Sequence, residues 1–325
     1  VMTPARLSLL DRSRTRAGEP DAQALRHTVE RAVRAEELGH HRFWVAEHHA
    51  VPGIASGSPP VLVAAIAART SRIRVGSGGV MLPNHQPLVV AEQFAMLEAL
   101  FPGRVDLGVG RSLGFTGPVR RALRSTGADT FAEDLAELRS YLDGTAPVTA
   151  RPRLDRPPPL FVLATGRGLA VGGDAGLPVV LGGPVLDDDS LGERLDDYRA
   201  RARAAGAQPY VVVSLDVLVA DSVAAARELA VPEAWALAAA RATGEFPALE
   251  PVDDRRPMTE RQRERVDSAV GRTVHGDEAT VAGALDDLFA RTGADELLAS
   301  TSTFDLDALR ESDTRLAALW TRRPR

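Results

Sequence analysis

The chain has 325 residues, 44% of them apolar and 26% charged, which is the balance of a folded globular protein and excludes disorder and fibres. All 39 basic residues are arginine, set against 44 acidic ones for a net charge of −5, and neither lysine nor cysteine occurs. Schiff-base and P-loop lysines, thiol nucleophiles, disulfides, iron–sulfur clusters and thiolate zinc sites are thereby excluded, and no basic stripe marks a nucleic-acid partner.

The N-terminal apolar run, Leu7 to Leu10, is too short for a secretion signal. No stretch approaches the ~18 consecutive apolar residues of a membrane helix. A cytoplasmic protein without membrane contact is the expectation.

Short apolar runs of strand length then alternate with longer amphipathic segments. Strands are predicted at Arg6–Leu10, Arg42–Ala46, Ile73–Leu82, Val105–Val109, Leu160–Ala164, Pro178–Leu181, Tyr210–Val219 and Glu296–Ser300. Helical patterns fall at Asp21–Leu38, Pro59–Arg69, Pro87–Leu100, Thr130–Leu142, Gly168–Ala175, Ser190–Ala205, from Ser222 onward, at Glu278–Arg291 and at Leu306–Trp320. Pro59, Pro60 and Pro87 stand at first-turn positions, Thr130 with Glu133 reads as a capping box, and Gly39, Gly176, Gly206 and Gly293 close helices. Eight β-then-α units argue for a parallel sheet covered by helices, and eight is the number that closes a single (β/α)8 TIM barrel over residues 1–325. A doubly wound open sheet is the alternative. Two stretches break the repeat: Arg111–Asp129, rich in Gly and Arg, and 231–276, polar and proline-broken, which reads as a lid-like insertion after the seventh strand.

A (β/α)8 barrel builds its site at the C-terminal ends of the strands. The second strand ends in Glu47-His48-His49, the third in Ser77-Gly78-Gly79 with Asn84-His85 beyond, and the fourth in Gly108-Val109-Gly110-Arg111. The fifth ends in Thr165-Gly166 and the eighth in Ser300-Thr301-Ser302-Thr303. Adjacent strand residues point to opposite faces, so His48 and His49 do not face one ion, and no metal is expected. His48 reads as an acid–base or hydrogen-bonding group whose tautomer Glu47 fixes, or else as a structural histidine. Gly108-Val109-Gly110 with Gly114 only mimics a dinucleotide fingerprint, because no helix opens at once behind it. Arg111 there is either a fork for phosphate oxygens or a rim ion pair. Glycines at 76, 78 and 79 inside an apolar strand mark either the close approach of a flat ligand or a tight bend.

Taken together, Phe43-Trp44-Val45-Ala46-Glu47-His48-His49, Pro52-Gly53-Ile54-Ala55-Ser56, Val75 through His85, Ala91-Glu92-Gln93-Phe94 and Pro102 through Arg111 resemble the bacterial luciferase-like flavin-dependent monooxygenases. The likeness is dense over residues 7–112 and returns at Val274-His275-Gly276-Asp277 and Thr292 through Leu297. It implies a (β/α)8 barrel, usually a homodimer, that takes reduced FMN from a separate flavin reductase. That flavin reacts with O2 as a C4a-hydroperoxide and oxygenates a small-molecule substrate, in several relatives a natural-product intermediate. His48 matches the catalytic histidine, with Glu47 beside it. Ser77, Gly78 and Gly79 fall where the family carries a non-proline cis peptide against the flavin ring, and Arg111 matches an arginine near the phosphate. Many relatives have a serine-rich turn for the phosphate where this chain has Thr165-Gly166-Arg167; either these residues and the amides at the helix start replace it, or FMN is bound weakly and only in its reduced form. The same fold also hosts deazaflavin-dependent hydride transfer and non-catalytic flavin binding. Leu113, Phe115 and Trp235 suggest a large, fairly apolar substrate.

Overall fold

The computed structural model describes residues 6–322 except Phe115, Thr126, Ala128, Thr165, Gly166 and Asp254. In chain order, β1 (Arg6–Asp11) leads to α1 (Asp21–Glu37), β2 (Arg42–Val45) to α2 (Pro59–Ala67), and β3 (Arg74–Met81) to α3 (Pro87–Leu100). After β4 (Val105–Gly110) come the short α4 (Gly117–Ala122) and α5 (Phe131–Leu142); β5 (Leu160–Ala164) precedes α6 (Gly168–Asp174), and β6 (Val179–Gly182) precedes α7 (Leu191–Ala204). Then β7 (Val211–Leu215), β8 (Val217–Val219), α8 (Val223–Thr243), α9 (Glu260–Val270) and β9 (Val274–Gly276) lead to α10 (Glu278–Thr292), and β10 (Glu296–Ala299) to α11 (Leu306–Arg322). Eight strands close a barrel in the order β1-β10-β7-β6-β5-β4-β3-β2, and every pairing is parallel. The (β/α)8 barrel is therefore the fold, and the open sheet is excluded.

Strand alternation separates two cores. Leu7, Leu9, Phe43 and Val45 point outward and pack with Ala32, Ala35, Leu62 and Ile66 of the helices. Leu10, Trp44, Phe161, Leu163, Val180, Tyr210, Val212 and Leu298 fill the barrel interior. Toward the N-terminal end of the strands that interior turns ionic. Arg42 donates to Asp106 and Glu296 at 2.7 Å each. Arg74 adds a 2.6 Å bond to Asp106, Ser8 and Tyr210 donate to Glu296 at 2.5 and 2.8 Å, and the Trp44 indole N–H reaches Asp106 at 3.1 Å. Every oxygen of these fully buried carboxylates thus faces at least one donor, the condition under which buried charge is tolerated.

Two predicted boundaries are corrected. The seventh strand is not continuous from Tyr210 to Val219: it breaks at Asp216, and β8 leaves the barrel to pair with β9. The 231–276 stretch is also not a loop, because α8 runs on through Pro232 to Thr243 and α9 follows. Sequence reading stops a helix at an internal proline, which costs ~3 kcal/mol. Here the helix carries it because Val231, Ala234 and Ala238 pack against Leu218, Val266 and Val270 in a small core of their own. The capping box predicted at Thr130 does not form, since that hydroxyl donates to Asp134 instead; a complete box stands at Thr259 and Gln262 at the start of α9. Gly39 and Gly293 close α1 and α10 in the left-handed conformation, as predicted.

Candidate active site

Continuing the inward alternation past the strand ends places Arg12 beyond Leu10, His48 beyond Trp44 and Ala46, Gly110 beyond Gly108, Asp216 beyond Ser214, and Ser300 beyond Leu298. These residues line two cavities at the C-terminal mouth. One of about 180 Å³ is walled by Glu47, His48, His49, Gly78, Gly79, Met81, Gly110, Ser112 and Leu163. The other, about 390 Å³, is bounded on its inner side by Arg12, Ser214, Asp216, Glu233 and Ser300.

The same alternation sends Glu47 away from His48. Its side chain is fully buried and accepts from His49 Nε2 at 2.5 Å, His85 Nε2 at 2.7 Å and the Met81 amide at 2.9 Å. Burial alone would raise its pKa, but the bond and charge of His85, the His49 bond and the amide hold it below the usual value. The expectation that Glu47 orients His48 is therefore replaced: Glu47 ties the segment after β2 to the turn after β3. The ligand atoms of Glu47, His49 and His85 lie within 4.8 Å of one another, a spacing one divalent ion spans. His48 is outside that group. Burial, with the positive charges of Arg12 and Arg14, pushes the His48 pKa down to about 4 against the opposing pull of Glu47, so the imidazole is neutral near pH 7.

The peptide between Gly78 and Gly79 is cis, and β3 shifts register against β4 at this point. A Cβ on Gly79 would lie 2.7 Å from the Gly108 carbonyl oxygen, one on Gly78 2.8 Å from Leu10 Cδ1, and one on Gly108 2.2 Å from the Ser77 carbonyl oxygen. The glycine run therefore has a packing reason of its own, the close approach of β3 to β4 over the barrel core. Ser77 belongs to that packing: its buried hydroxyl donates to the Gly108 carbonyl at 2.8 Å and accepts from the Gly108 amide at 3.1 Å. The cavity is left with bare backbone at Gly78, Gly79 and Gly110.

Arg111 follows β4 with its side chain 36% exposed and, among the described residues, only a 3.5 Å contact to Asp129. Arg167, exposed, follows β5, and the Val109–Val162 pairing makes these two strand ends neighbours. Thr165 and Gly166 lie outside the described residues. Trp235 does not face the cavity; it packs within the α8–α9 core with the Arg256 guanidinium 4.4 Å above its ring.

Sequence reasoning missed the polar wall of the larger cavity. Arg12 contacts Asp216 and Glu233 at 3.3 Å each and donates to the Ser300 carbonyl at 3.0 Å. Arg14 holds Glu233 at 2.8 Å and also bonds the Gly53 and Pro247 carbonyls, with Phe246 under its guanidinium at 4.2 Å. The α8 module is thus bolted to the barrel mouth through Glu233. Counting two residues past each inward strand position would have found Arg12 and Asp216; Glu233, on a helix more than 200 residues away from Arg14 in sequence, carries no such signal.

The profile of the luciferase-like monooxygenases matches residues 5–296. A luciferase-like monooxygenase of Escherichia coli K12 is 34% identical over 313 residues, covering 93% of this chain and 92% of that protein. The N-acetyl-S-alkylcysteine monooxygenase of Bacillus subtilis is 45% identical over 168 residues, about half of each chain (49% and 50%). Among solved structures, apo-MsnO8 superposes with a TM-score of 0.84 at 32% identity, with 99% of each chain covered. Two more distant structures share the fold: a type II Baeyer–Villiger monooxygenase of Pseudomonas putida in complex with FMN (TM-score 0.74, 18% identity, 97% of each chain) and an F420-dependent secondary alcohol dehydrogenase (0.66, 17%, 95% and 98%). With the profile matching residues 5–296 and a 34% identical relative covered over 92% of its length, the chain belongs to the luciferase-like monooxygenase family.

Proposed function

We propose that this enzyme is a two-component flavin monooxygenase that binds reduced FMN supplied by a separate reductase and uses O2 to oxygenate an organic substrate. The observation that carries the reading is a neutral His48 beside the bare Gly78–Gly79 backbone in one cavity, with Arg111 and Arg167 on neighbouring strand ends. That arrangement fits a flavin: a flat ring needs a wall without side chains, and two guanidiniums suit its phosphate. Reduced FMN, when bound, supplies the electrons that activate O2. His48 presents an uncharged imidazole able to donate or accept one hydrogen bond in the cavity. Glu47 acts on it indirectly, by fixing the backbone that His48 stands on. Arg111 and Arg167 would hold the phosphate; Thr165 and Gly166, the other residues the sequence offers for it, lie outside the described residues. The 231–276 segment, joined to the mouth by Glu233, serves as the cover that keeps water out.

A homodimer is part of the same reading. Helix α2 contains no charged residue, and with α3 it leaves Val61 70%, Val89 44%, Met96 56% and Leu100 67% exposed. An apolar surface of that kind on a soluble barrel calls for a partner face, here that of a second copy.

The test is the reaction of reduced FMN with O2 in a rapid-mixing spectrophotometer. A protein-dependent absorbance transient, or a rate different from that of free reduced FMN, supports the reading; oxidation indistinguishable from that of the free flavin refutes it.

A further inference from the structure

Asp216 occupies an unusual place. It is the residue at which the seventh strand breaks and β8 departs, and it lies on the inward side of the mouth, three strands round the barrel from β2, which His48 follows. Its side chain keeps 20% exposure toward the larger cavity. Oδ1 accepts from the Ser300 hydroxyl at 2.7 Å and from Arg12 at 3.3 Å, whereas Oδ2 has, among the described residues, only a 3.5 Å contact with the same guanidinium. One carboxyl oxygen is therefore anchored and the other is left with little to hold it.

We propose that Asp216 is the acid of this site, its Oδ2 carrying the proton delivered to oxygen as O2 is reduced. The proposal rests on the flavin reading above. Anionic reduced flavin, O2, one proton and the substrate balance against oxidised flavin, oxygenated substrate and water; without substrate, the same electrons and one proton balance against oxidised flavin and hydrogen peroxide. Either way one proton is consumed at the mouth. After delivery Asp216 is a carboxylate, which regains its proton from solvent through the open cavity.

Three other titratable groups at the mouth are poorly placed to supply that proton. His48 is neutral near pH 7 because its pKa lies at about 4. Glu47 is tied up in three hydrogen bonds and turned away. Glu233 is 4% exposed and held below its ordinary value against its own burial by Arg12 and Arg14. For Asp216 the balance runs the other way: burial and the nearby Glu233 raise its pKa, outweighing Arg12 and the Ser300 hydroxyl. The charged groups that bear on it are thus Arg12 and Arg14, which follow β1, and Glu233 from α8, with Asp187, Arg272 and Arg291 lining the same cavity.

Two measurements test this. In flavin-free protein with 13C-labelled aspartate carboxyls, NMR titration should show one resonance titrating above the ordinary aspartate range, absent in Asp216→Asn and moved further up in Ser300→Ala, which loses a donor to the carboxylate. With reduced FMN bound, Asp216→Asn should reoxidise at least tenfold more slowly than wild type, because a positioned acid contributes about 10²-fold or more, while Asp216→Glu retains most of the rate. No such resonance in the wild type, or Asp216→Asn reoxidising at the wild-type rate, would overturn the assignment. Wild-type protein that leaves free-flavin oxidation unaltered would refute the flavin reading itself, and the NMR result would still stand or fall separately.

Discussion

The neutrality of His48 has a measurable price in acid stability. Its pKa is about 4 in the folded protein because burial, Arg12 and Arg14 disfavour the imidazolium, against ~6.5 in an unfolded chain. A depressed pKa means that the unfolded state binds the proton first. The His48 contribution to folding is therefore intact above pH ~6.5 and is lost progressively as pH falls toward 4. At pH 5 the difference in proton binding amounts to about 2 kcal/mol, and at pH 7.5 it is close to zero. His48→Gln removes this titration and keeps a hydrogen-bonding side chain of similar reach. Urea melts of both proteins at pH 7.5 and 5.0 should show the wild type losing about 2 kcal/mol more than the variant, or about 3 °C in a thermal melt of a chain this long. Other depressed histidines, such as His41, act in both proteins and cancel. Equal losses on acidification would mean that His48 has no depressed pKa and would remove the basis for its role as an uncharged partner.

Arg42→Met should destabilise the barrel by about 3–5 kcal/mol, since it strips a partner from two fully buried carboxylates; chemical denaturation at pH 7.5 measures it. Gly108→Ala places a methyl 2.2 Å from the Ser77 carbonyl oxygen, so it should lower stability by about 1–3 kcal/mol or more and weaken flavin binding, read by melting temperature and anaerobic titration. Arg111→Ala and Arg167→Ala should each cost reduced FMN about tenfold in affinity, the scale of one charge-assisted bond at a partly exposed site. Reduced riboflavin, which has no phosphate, should bind all three proteins alike. Leu100→Glu, on the exposed α3 face, should convert a dimer to monomers in light scattering without shifting the circular dichroism spectrum.

The strand count was legible because each barrel strand is a short, nearly continuous apolar run between turn signals, and parallel strands buried on both faces must be. The break at Asp216 was not: Leu215 and Val217 flank it as in any apolar strand, and only the pairing of β8 with β9 shows that the chain has left the barrel. The second half of α8 was obscured by Pro232, whose cost is offset by contacts with α9 that no local pattern reveals. In the site, His48 was identifiable from its place at a strand end, but the partners of Glu47 were not, since His85 lies 38 residues away on another loop. The ionic layer in the barrel was equally invisible, because Arg42 and Glu296 are 254 residues apart. The glycines were legible as a break in an apolar strand, and the structure gives them the β3–β4 contact as a packing reason.

The proposed function requires that this mouth hold a reduced flavin against bare backbone beside an uncharged histidine. Anaerobic titration of the protein with reduced FMN and, separately, with a reduced deazaflavin tests it most directly. The account predicts saturable binding of reduced FMN, tighter than that of the deazaflavin and weakened by Arg111→Ala. Tighter binding of the deazaflavin, or no binding of reduced FMN, would contradict it.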